Sequence, residues 1–237
     1  MHIKMKFVIG FITIKGGHRI GITGTTVIEN GKIIYIKDIS SLNFRIAKEI
    51  IGVSKNLLQY IIDAQNDRIY NTLLVGMPGS GKTTMLRDII RTISNGILNN
   101  NLQGKKVGLV DERGEIAAVY NGTPQNDVGM RTDIMNNCSK SLGLTMLIRT
   151  MSPEIVTTDE IGGEEDFTAI EYAASLGING IFTIHGNNLE QMMINKNIRK
   201  IVQSNIFERI IFLDKNEKGK INDIYALEDG KYNIINK

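Results

Sequence analysis

Gly76-Met-Pro-Gly-Ser-Gly-Lys-Thr-Thr84 decides the fold of this chain because of what stands on either side of it. Asn71 to Val75 reads as a short buried strand. Lys82 to Leu98 reads as a helix whose apolar residues Met85, Leu86, Ile89, Ile90, Ile93 and Ile97 recur close to the helical period. A glycine-rich octamer alone is a weak signal, but strand, glycine loop and helix together give it a mechanism. The glycines let successive backbone N–H groups curl around a phosphate, and the helix N-terminus adds partial positive charge. In that arrangement Gly76, Met77, Pro78, Gly79, Ser80, Gly81, Lys82, Thr83 and Thr84 cradle a nucleotide. Lys82 reaches the β- and γ-phosphates, and the Thr83 hydroxyl holds Mg²⁺.

From Asp67 onward, strands and helices alternate. Strands are expected at Asn71 to Val75, Lys106 to Val110, Ile155 to Asp159, Gly180 to Ile184 and Phe207 to Leu213. Helices are expected at Lys82 to Leu98, Lys140 to Met151, Glu165 to Leu176, Glu190 to Ile194 and Ile198 to Ser204. This order predicts an α/β fold with a mostly parallel sheet and helices on both faces, as in a P-loop NTPase of the RecA/AAA-like kind. A turn at Asn216 to Gly219 then opens a closing hairpin of Ile221 to Leu227 and Lys231 to Ile235.

The stretch before Asp67 is different. Lys6 to Ile14, Arg19 to Gly24, Thr25 to Glu29, Ile33 to Ile39 and Leu42 to Ala47 read as strands. Asn30-Gly31 is a hairpin signal, since both central residues of a type I′ turn need positive φ. Ser54 is the expected N-cap of a helix running to Ala64. The change of pattern predicts a strand-rich part over residues 1–66 and an ATPase domain over 67–237, with no low-complexity linker between them.

Composition narrows the class. Hydrophobic residues make up 42% and charged residues 22% of the 237, as in soluble globular proteins. The net charge of +3 comes without a long basic run, so no nucleic-acid partner is expected. Cys138 is the single cysteine, which excludes an intramolecular disulfide and suits a reducing compartment. No run of apolar residues is long enough for a membrane-spanning helix. Lys6 to Ile14 is too short for a signal peptide and lacks a small-residue cleavage site. The expected location is cytoplasmic, with peripheral attachment to a membrane complex left open. His2 and His18 have no acid or cysteine partner at metal-ligand spacing, so no metal site built from protein ligands alone is expected.

Four strand ends carry candidate chemistry. Ile155-Val-Thr-Thr-Asp159-Glu160 ends a buried strand in two acids. There Asp159 would hold the metal and Glu160 would act as general base on the attacking water. Val107-Gly-Leu-Val-Asp111-Glu112-Arg113 repeats the logic, with Glu112 as rival to Glu160, or sharing the metal shell with Asp111. His185 closes Gly180-Ile-Phe-Thr-Ile-His185, where it could sense the γ-phosphate. Arg113, Arg131 and Arg149 are candidates for stabilising transition-state charge, in trans across a subunit interface if not in cis. Arg131 stands out because it lies in the long polar loop Asn126 to Asp133.

Taken together, these motifs resemble the stage III sporulation protein AA family, whose members are similar to the hexameric secretion ATPases of type II and type IV systems. The likeness rests on Gly76 to Arg91, Val107 to Ile116, Asp127 to Asp133, Ile148 to Glu154, Thr158 to Asp166 and Thr183-Ile-His-Gly186. Gly16-Gly-His-Arg-Ile-Gly-Ile22 extends it into the first part. The resemblance implies an ATPase using ATP and Mg²⁺ at a channel between mother cell and forespore. Its Walker A motif falls on Gly76 to Thr84, its acidic box on Asp111 and Glu112, its Walker B motif on Asp159 and Glu160, and its histidine box on His185. It further implies a homo-oligomer, a ring of six, docked on membrane subunits. Against the family pattern the N-terminal part is expected to be a shortened form of the family's first domain, and no basic residue stands near Gly163. Two other readings compete: a nucleic-acid-linked P-loop ATPase, and a scaffold that binds ATP with negligible hydrolysis. The single-strand-binding module of the former needs an Arg and a His four residues apart, a pair this chain lacks.

Overall fold

The computed structural model describes residues 11–97, 102–194 and 196–236. Two compact units emerge, one of Met1–Glu49 with Ala117–Asn126, the other of Ile50–Ile116 with Asp127–Lys237. The division therefore differs from the expected boundary at residue 67. Residues 50–66 go with the larger unit because helix α1 (Lys55–Ile61) buries Leu57, Leu58 and Ile61 there. The smaller unit also takes in a distant stretch of chain, which no local change of composition announces.

The smaller unit is an antiparallel sheet in the order β1 (Phe11–Thr13), β2 (Arg19–Glu29), β3 (Lys32–Arg45). The expected turn is present, with Asn30 at φ +50° and Gly31 at φ +73°. What read as four short strands is two long ones, each running through an irregularity in register near Gly24. A Cβ at Gly24 would come within 2.6 Å of the Lys37 carbonyl oxygen, so the strands approach there as only glycine allows. The expected strand at Lys6 to Ile14 is seen as β1, its first residues lying outside those described.

The larger unit is built on an eight-stranded sheet in the order β13-β12-β11-β6-β10-β9-β7-β8. Its members are β6 (Thr72–Gly76), β7 (Val107–Asp111), β8 (Thr132–Asn136), β9 (Ile155–Thr158), β10 (Asn179–His185), β11 (Arg209–Leu213), β12 (Ile221–Glu228) and β13 (Lys231–Asn236). From β8 to β11 every pairing is parallel, and β12 and β13 add an antiparallel hairpin at one edge. The mostly parallel α/β sheet of the sequence reading is thus present. Every residue of β6, β7 and β9 is buried, as covered parallel strands require.

Helices cover both faces because the chain moves both ways along the sheet. Helix α2 (Lys82–Asn95) carries it from β6 outward to β7. Helices α3 (Lys140–Met151), α4 (Glu164–Ser175), α5 (Leu189–Ile194) and α6 (Lys196–Gln203) bring it back through β9 and β10 to β11. Right-handed crossovers in opposite directions put their helices on opposite faces. Leu73 and Val75 of β6, Val110, Val156, Phe182 and Ile210 accordingly form one core with Leu144, Leu147, Phe167 and Ile170 of α3 and α4. The buried side chains of α2, among them Met85, Leu86, Ile89 and Ile93, serve the other face.

Four local expectations differ in the structure. Ser54 does not cap α1: its backbone is helical, at φ −82° and ψ −8°, and its hydroxyl instead donates to Asp88 Oδ2 at 2.7 Å. The expected helix to Ala64 stops at Ile61, where a small ladder of β4 (Ile62–Asp63) and β5 (Arg68–Ile69) begins. The polar loop around Arg131 leads straight into β8, an edge strand of half-buried polar composition that shows no apolar alternation. Helix α2 ends at Asn95 against Gly96 at φ +83°, while Leu98 lies outside the described residues.

Candidate functional site

Since β6, β7, β9, β10 and β11 run parallel, their carboxyl ends share one edge of the sheet. Open α/β sheets bind ligands along such an edge. The glycine loop leaves β6 there. Gly79 at φ +81° and Gly81 at φ +96° take the left-handed turns that the loop requires. A Cβ at Gly79 would meet open space, so the backbone there is free to be approached. At Gly76 a Cβ would lie 2.4 Å from Ser80 Oγ, a buried oxygen wedged beneath the loop. The turn between β11 and β12 braces the loop from outside, Gly219 N–H donating to the Ser80 carbonyl oxygen at 2.8 Å.

Lys82, at the first turn of α2, is 5% exposed. Its Nζ donates to the carbonyl oxygens of Gly76 (2.9 Å) and Met77 (3.2 Å) and to His185 Nδ1 (3.2 Å). Burial pulls its pKa below the usual lysine value, against the opposing attraction of Asp159 and Glu160. An ammonium donor on Nδ1 leaves His185 with its proton on Nε2, which lies 2.9 Å from Glu160 Oε1. Glu160 Oε2 in turn accepts from Arg113 at 2.7 Å. Lys82, His185, Glu160 and Arg113 therefore form one chain of contacts.

A second chain starts from Thr83, whose hydroxyl donates to Asp159 Oδ2 at 2.5 Å. The other Asp159 oxygen accepts from the Thr183 hydroxyl, which itself accepts the Glu160 backbone N–H at 2.8 Å. Glu160 sits at φ +53°. Left-handed backbone at a residue with a Cβ costs roughly 1–2 kcal/mol, and the surrounding bonds hold it there. In the sequence Thr183 figures only as the first residue of Thr183-Ile-His-Gly186, with no role of its own. A threonine alternating with apolar residues on a strand that ends at a candidate site is the signal that marks it.

The remaining candidates divide. Asp111 and Glu112 reach the same edge and, with Arg113, Lys140, Asp159 and Glu160, line a small cleft. Asp111 is 2% exposed, and its Oδ1 accepts the N–H groups of Glu115 (2.9 Å) and Ile116 (3.2 Å), so it holds the loop that follows β7. Glu112 is paired with Lys140. Arg131 is not brought to this site. It precedes β8 and so lies at the amino edge of a parallel sheet, its guanidinium 3.2 Å from the Ser94 carbonyl oxygen at the far end of α2. A helix of 14 residues spans about 20 Å, which separates Arg131 from the glycine loop of its own chain. Arg149 is in the last turn of α3, a helix that runs back toward that amino edge.

The residues present fit a phosphate and a hard cation. Lys82 Nζ rests on loop carbonyls, partners that an anion can displace, and the N-terminal N–H groups of α2 face the same place. Thr83 and Asp159 offer a hydroxyl and a carboxylate oxygen. Among the described residues no cluster of three or more His, Cys, Asp or Glu could hold a metal. A cation here would complete its shell with phosphate oxygens and water, as Mg²⁺ does.

Comparison with known proteins agrees with this geometry. The family model "Sporulation stage III, protein AA" matches residues 3–232. Stage III sporulation protein AA of Bacillus subtilis (strain 168) is 40% identical over 229 residues, 96% of this chain and 72% of that protein. The uncharacterized protein ycf45 of Cyanidium caldarium is 31% identical over 167 residues, 70% of this chain and 46% of that one. Among solved structures, the Legionella pneumophila ATPase DotB superposes with a TM-score of 0.59 at 17% identity, over 90% of this chain and 59% of DotB. The pilus retraction motor PilT, solved with bound ADP, superposes with a TM-score of 0.54 at 15% identity, over 94% of this chain and 60% of PilT. These two likenesses are of fold. Among the described residues no helix is long and apolar enough to cross a membrane. The chain belongs to the sporulation stage III protein AA family.

Proposed function

From that membership we propose that the chain is an ATP-hydrolysing motor subunit of a secretion-like channel that acts between mother cell and forespore during endospore formation. The observation that carries the reading is the convergence of two contact chains on one sheet edge: Lys82–His185–Glu160–Arg113 and Thr83–Asp159–Thr183. They join a phosphate clamp, a metal-binding pair and a base, the three parts that phosphoryl transfer to water requires.

The roles follow from the side chains. Gly76 to Thr84 wraps the phosphates of ATP, and Lys82 exchanges its carbonyl partners for β- and γ-oxygens. Thr83 and Asp159 would hold Mg²⁺, with Asp111 at the margin of the same cleft. When bound, the cation would supply positive charge against the phosphate oxygens. Transfer of Lys82 to the phosphate breaks its contact with His185, which then loosens its hold on Glu160. Glu160 takes a proton from the attacking water as the new oxygen–phosphorus bond forms. The bond to the β-phosphate oxygen breaks, and ADP leaves with its electron pair. Glu160 is favoured over Glu112 as base because it adjoins Asp159 and is tied through His185 to Lys82, whereas Glu112 is paired with Lys140. Arg113 is suited to act on the same site, whereas Arg131 and Arg149 could serve only the site of a neighbouring subunit.

Assembly as a homo-oligomer, a ring of six by family likeness, would supply that neighbour. Docking on membrane subunits of the channel would hold the motor on the cytoplasmic side. The decisive assay is phosphate release from ATP by wild type, Lys82→Ala and Glu160→Gln. Wild-type turnover lost in both variants is expected, and equal rates in all three would defeat the motor reading. Tight ATP binding with no turnover even in the assembled complex would make the protein a scaffold. Stimulation by single-stranded nucleic acid would revive the nucleic-acid-linked alternative.

A further inference from the structure

Thr183 is completely buried in β10, and three consecutive residues of another segment hang on it. Its hydroxyl donates to Asp159 Oδ1 and accepts the Glu160 N–H at 2.8 Å, and its carbonyl oxygen accepts the Ile161 N–H at 2.9 Å. The register explains why one residue carries so much. Strands β9 and β10 pair as far as Thr158 opposite Phe182, and beyond that point the ladder stops. Thr183 extends the connection by one step with a side chain in place of backbone. It thereby fixes the turn at which Glu160 holds φ +53°.

The chemistry needs a hydroxyl in particular. One group must donate to a carboxylate and accept from a backbone N–H at the same time, which serine and threonine can do and valine or alanine cannot. Asp159 is held symmetrically, Oδ1 by Thr183 and Oδ2 by Thr83. When Thr83 turns its oxygen toward a cation, Oδ2 loses its donor and Thr183 becomes the remaining anchor of the carboxylate.

We propose that Thr183 is the positioning residue of this site: through one hydroxyl it orients Asp159 for the metal and fixes the backbone that aims Glu160 at the attacking water. The proposal rests on the ATPase reading above. It assigns to Thr183 no contact with nucleotide or metal.

The test compares wild type, Thr183→Val and Thr183→Ser in the full chain. A fluorescent ATP analogue is titrated with and without Mg²⁺, and turnover is followed against Mg²⁺ concentration. Thr183→Val is expected to bind metal-free nucleotide like wild type. The Mg²⁺ needed for half-maximal tightening should rise about tenfold, with kcat falling by a similar factor or more, as on removal of an outer-shell partner of a metal ligand. Thr183→Ser should return both quantities most of the way to wild type. If Thr183→Val does not fold, Thr183→Ala against Thr183→Ser makes the same comparison. Wild-type nucleotide binding that ignores Mg²⁺ would overturn the ATPase reading and this role together. A wild type that responds to Mg²⁺, with a hydroxyl-free variant that responds identically, would overturn the role of Thr183 alone.

Discussion

Asp88→Asn tests how the helix of the glycine loop is fastened to the rest of its unit. Asp88 lies on α2 and is 3% exposed. Its Oδ1 accepts from Gly52 N–H (3.0 Å) and from Arg91 (2.7 Å), and its Oδ2 accepts from Ser54 N–H (2.8 Å) and the Ser54 hydroxyl (2.7 Å). Asparagine keeps the shape but turns one acceptor into a donor. The cheapest arrangement points its NH₂ at Ser54, where the hydroxyl can rotate to accept but the backbone N–H cannot. That leaves one buried donor unpaired, at about 1–3 kcal/mol, and removes the ionic share of the Arg91 contact. The sum is about 2–4 kcal/mol, a fall in Tm of roughly 5–12 °C for a domain of this size.

The pH dependence gives the prediction a sign. Burial alone would raise the Asp88 pKa, but the bonds from Ser54, Gly52 and Arg91 outweigh it and leave the group below its ordinary 3.8. The folded state then binds fewer protons than the unfolded state as that range is crossed, so the contribution is complete above the unfolded value. It is lost as pH falls through the folded value. Thermal unfolding followed by circular dichroism should show the wild-type advantage at pH 7 shrinking steadily below about pH 4. A variant melting within about 2 °C of wild type at pH 7 would refute the accounting. So would a gap that does not change with pH.

Other consequences are simpler. Gly76→Ala drives a methyl against Ser80 Oγ and should weaken binding of a fluorescent ATP analogue roughly tenfold. Adding Ser80→Ala should recover part of the loss, because the nearest remaining contact is then 3.3 Å. Arg131→Ala should lower urea-unfolding stability by about 1 kcal/mol without changing nucleotide affinity of the isolated chain. A matching loss of affinity would mean that Arg131 reaches its own loop. The Tyr232 hydroxyl donates to the Phe207 carbonyl oxygen at 2.8 Å, and burial pushes its pKa up from 10.0 to about 12. The folded state retains that proton longer than the unfolded state, so Tyr232 opposes folding progressively as pH rises from 10.0 to about 12. Tyr232→Phe should flatten the alkaline stability profile in that window, and an unchanged slope would count against the assignment.

The glycine loop, the strand and helix on either side of it, and the placement of Asp111, Glu112, Asp159 and Glu160 at strand ends were legible in the sequence. Each depends on a short contiguous run: a strand with no polar interruption, a glycine that permits positive φ, a carboxylate at a strand end. Backbone preference over a few residues is local physics, and it is written locally. The order and direction of the strands are not. Only the parallel arrangement of β8 shows that Arg131 lies at the edge opposite the loop. Only the end of the β9–β10 ladder makes Thr183, which looks like one more strand residue, the support of Asp159 and Glu160. The inclusion of Ala117–Asn126 in the smaller unit and the pairing of Glu112 with Lys140 likewise join residues far apart in the chain. A glycine loop between a buried strand and a helix marks where a phosphate cradle can form. Which side chains meet across it depends on contacts between distant segments, and those form only once the sheet has chosen its order.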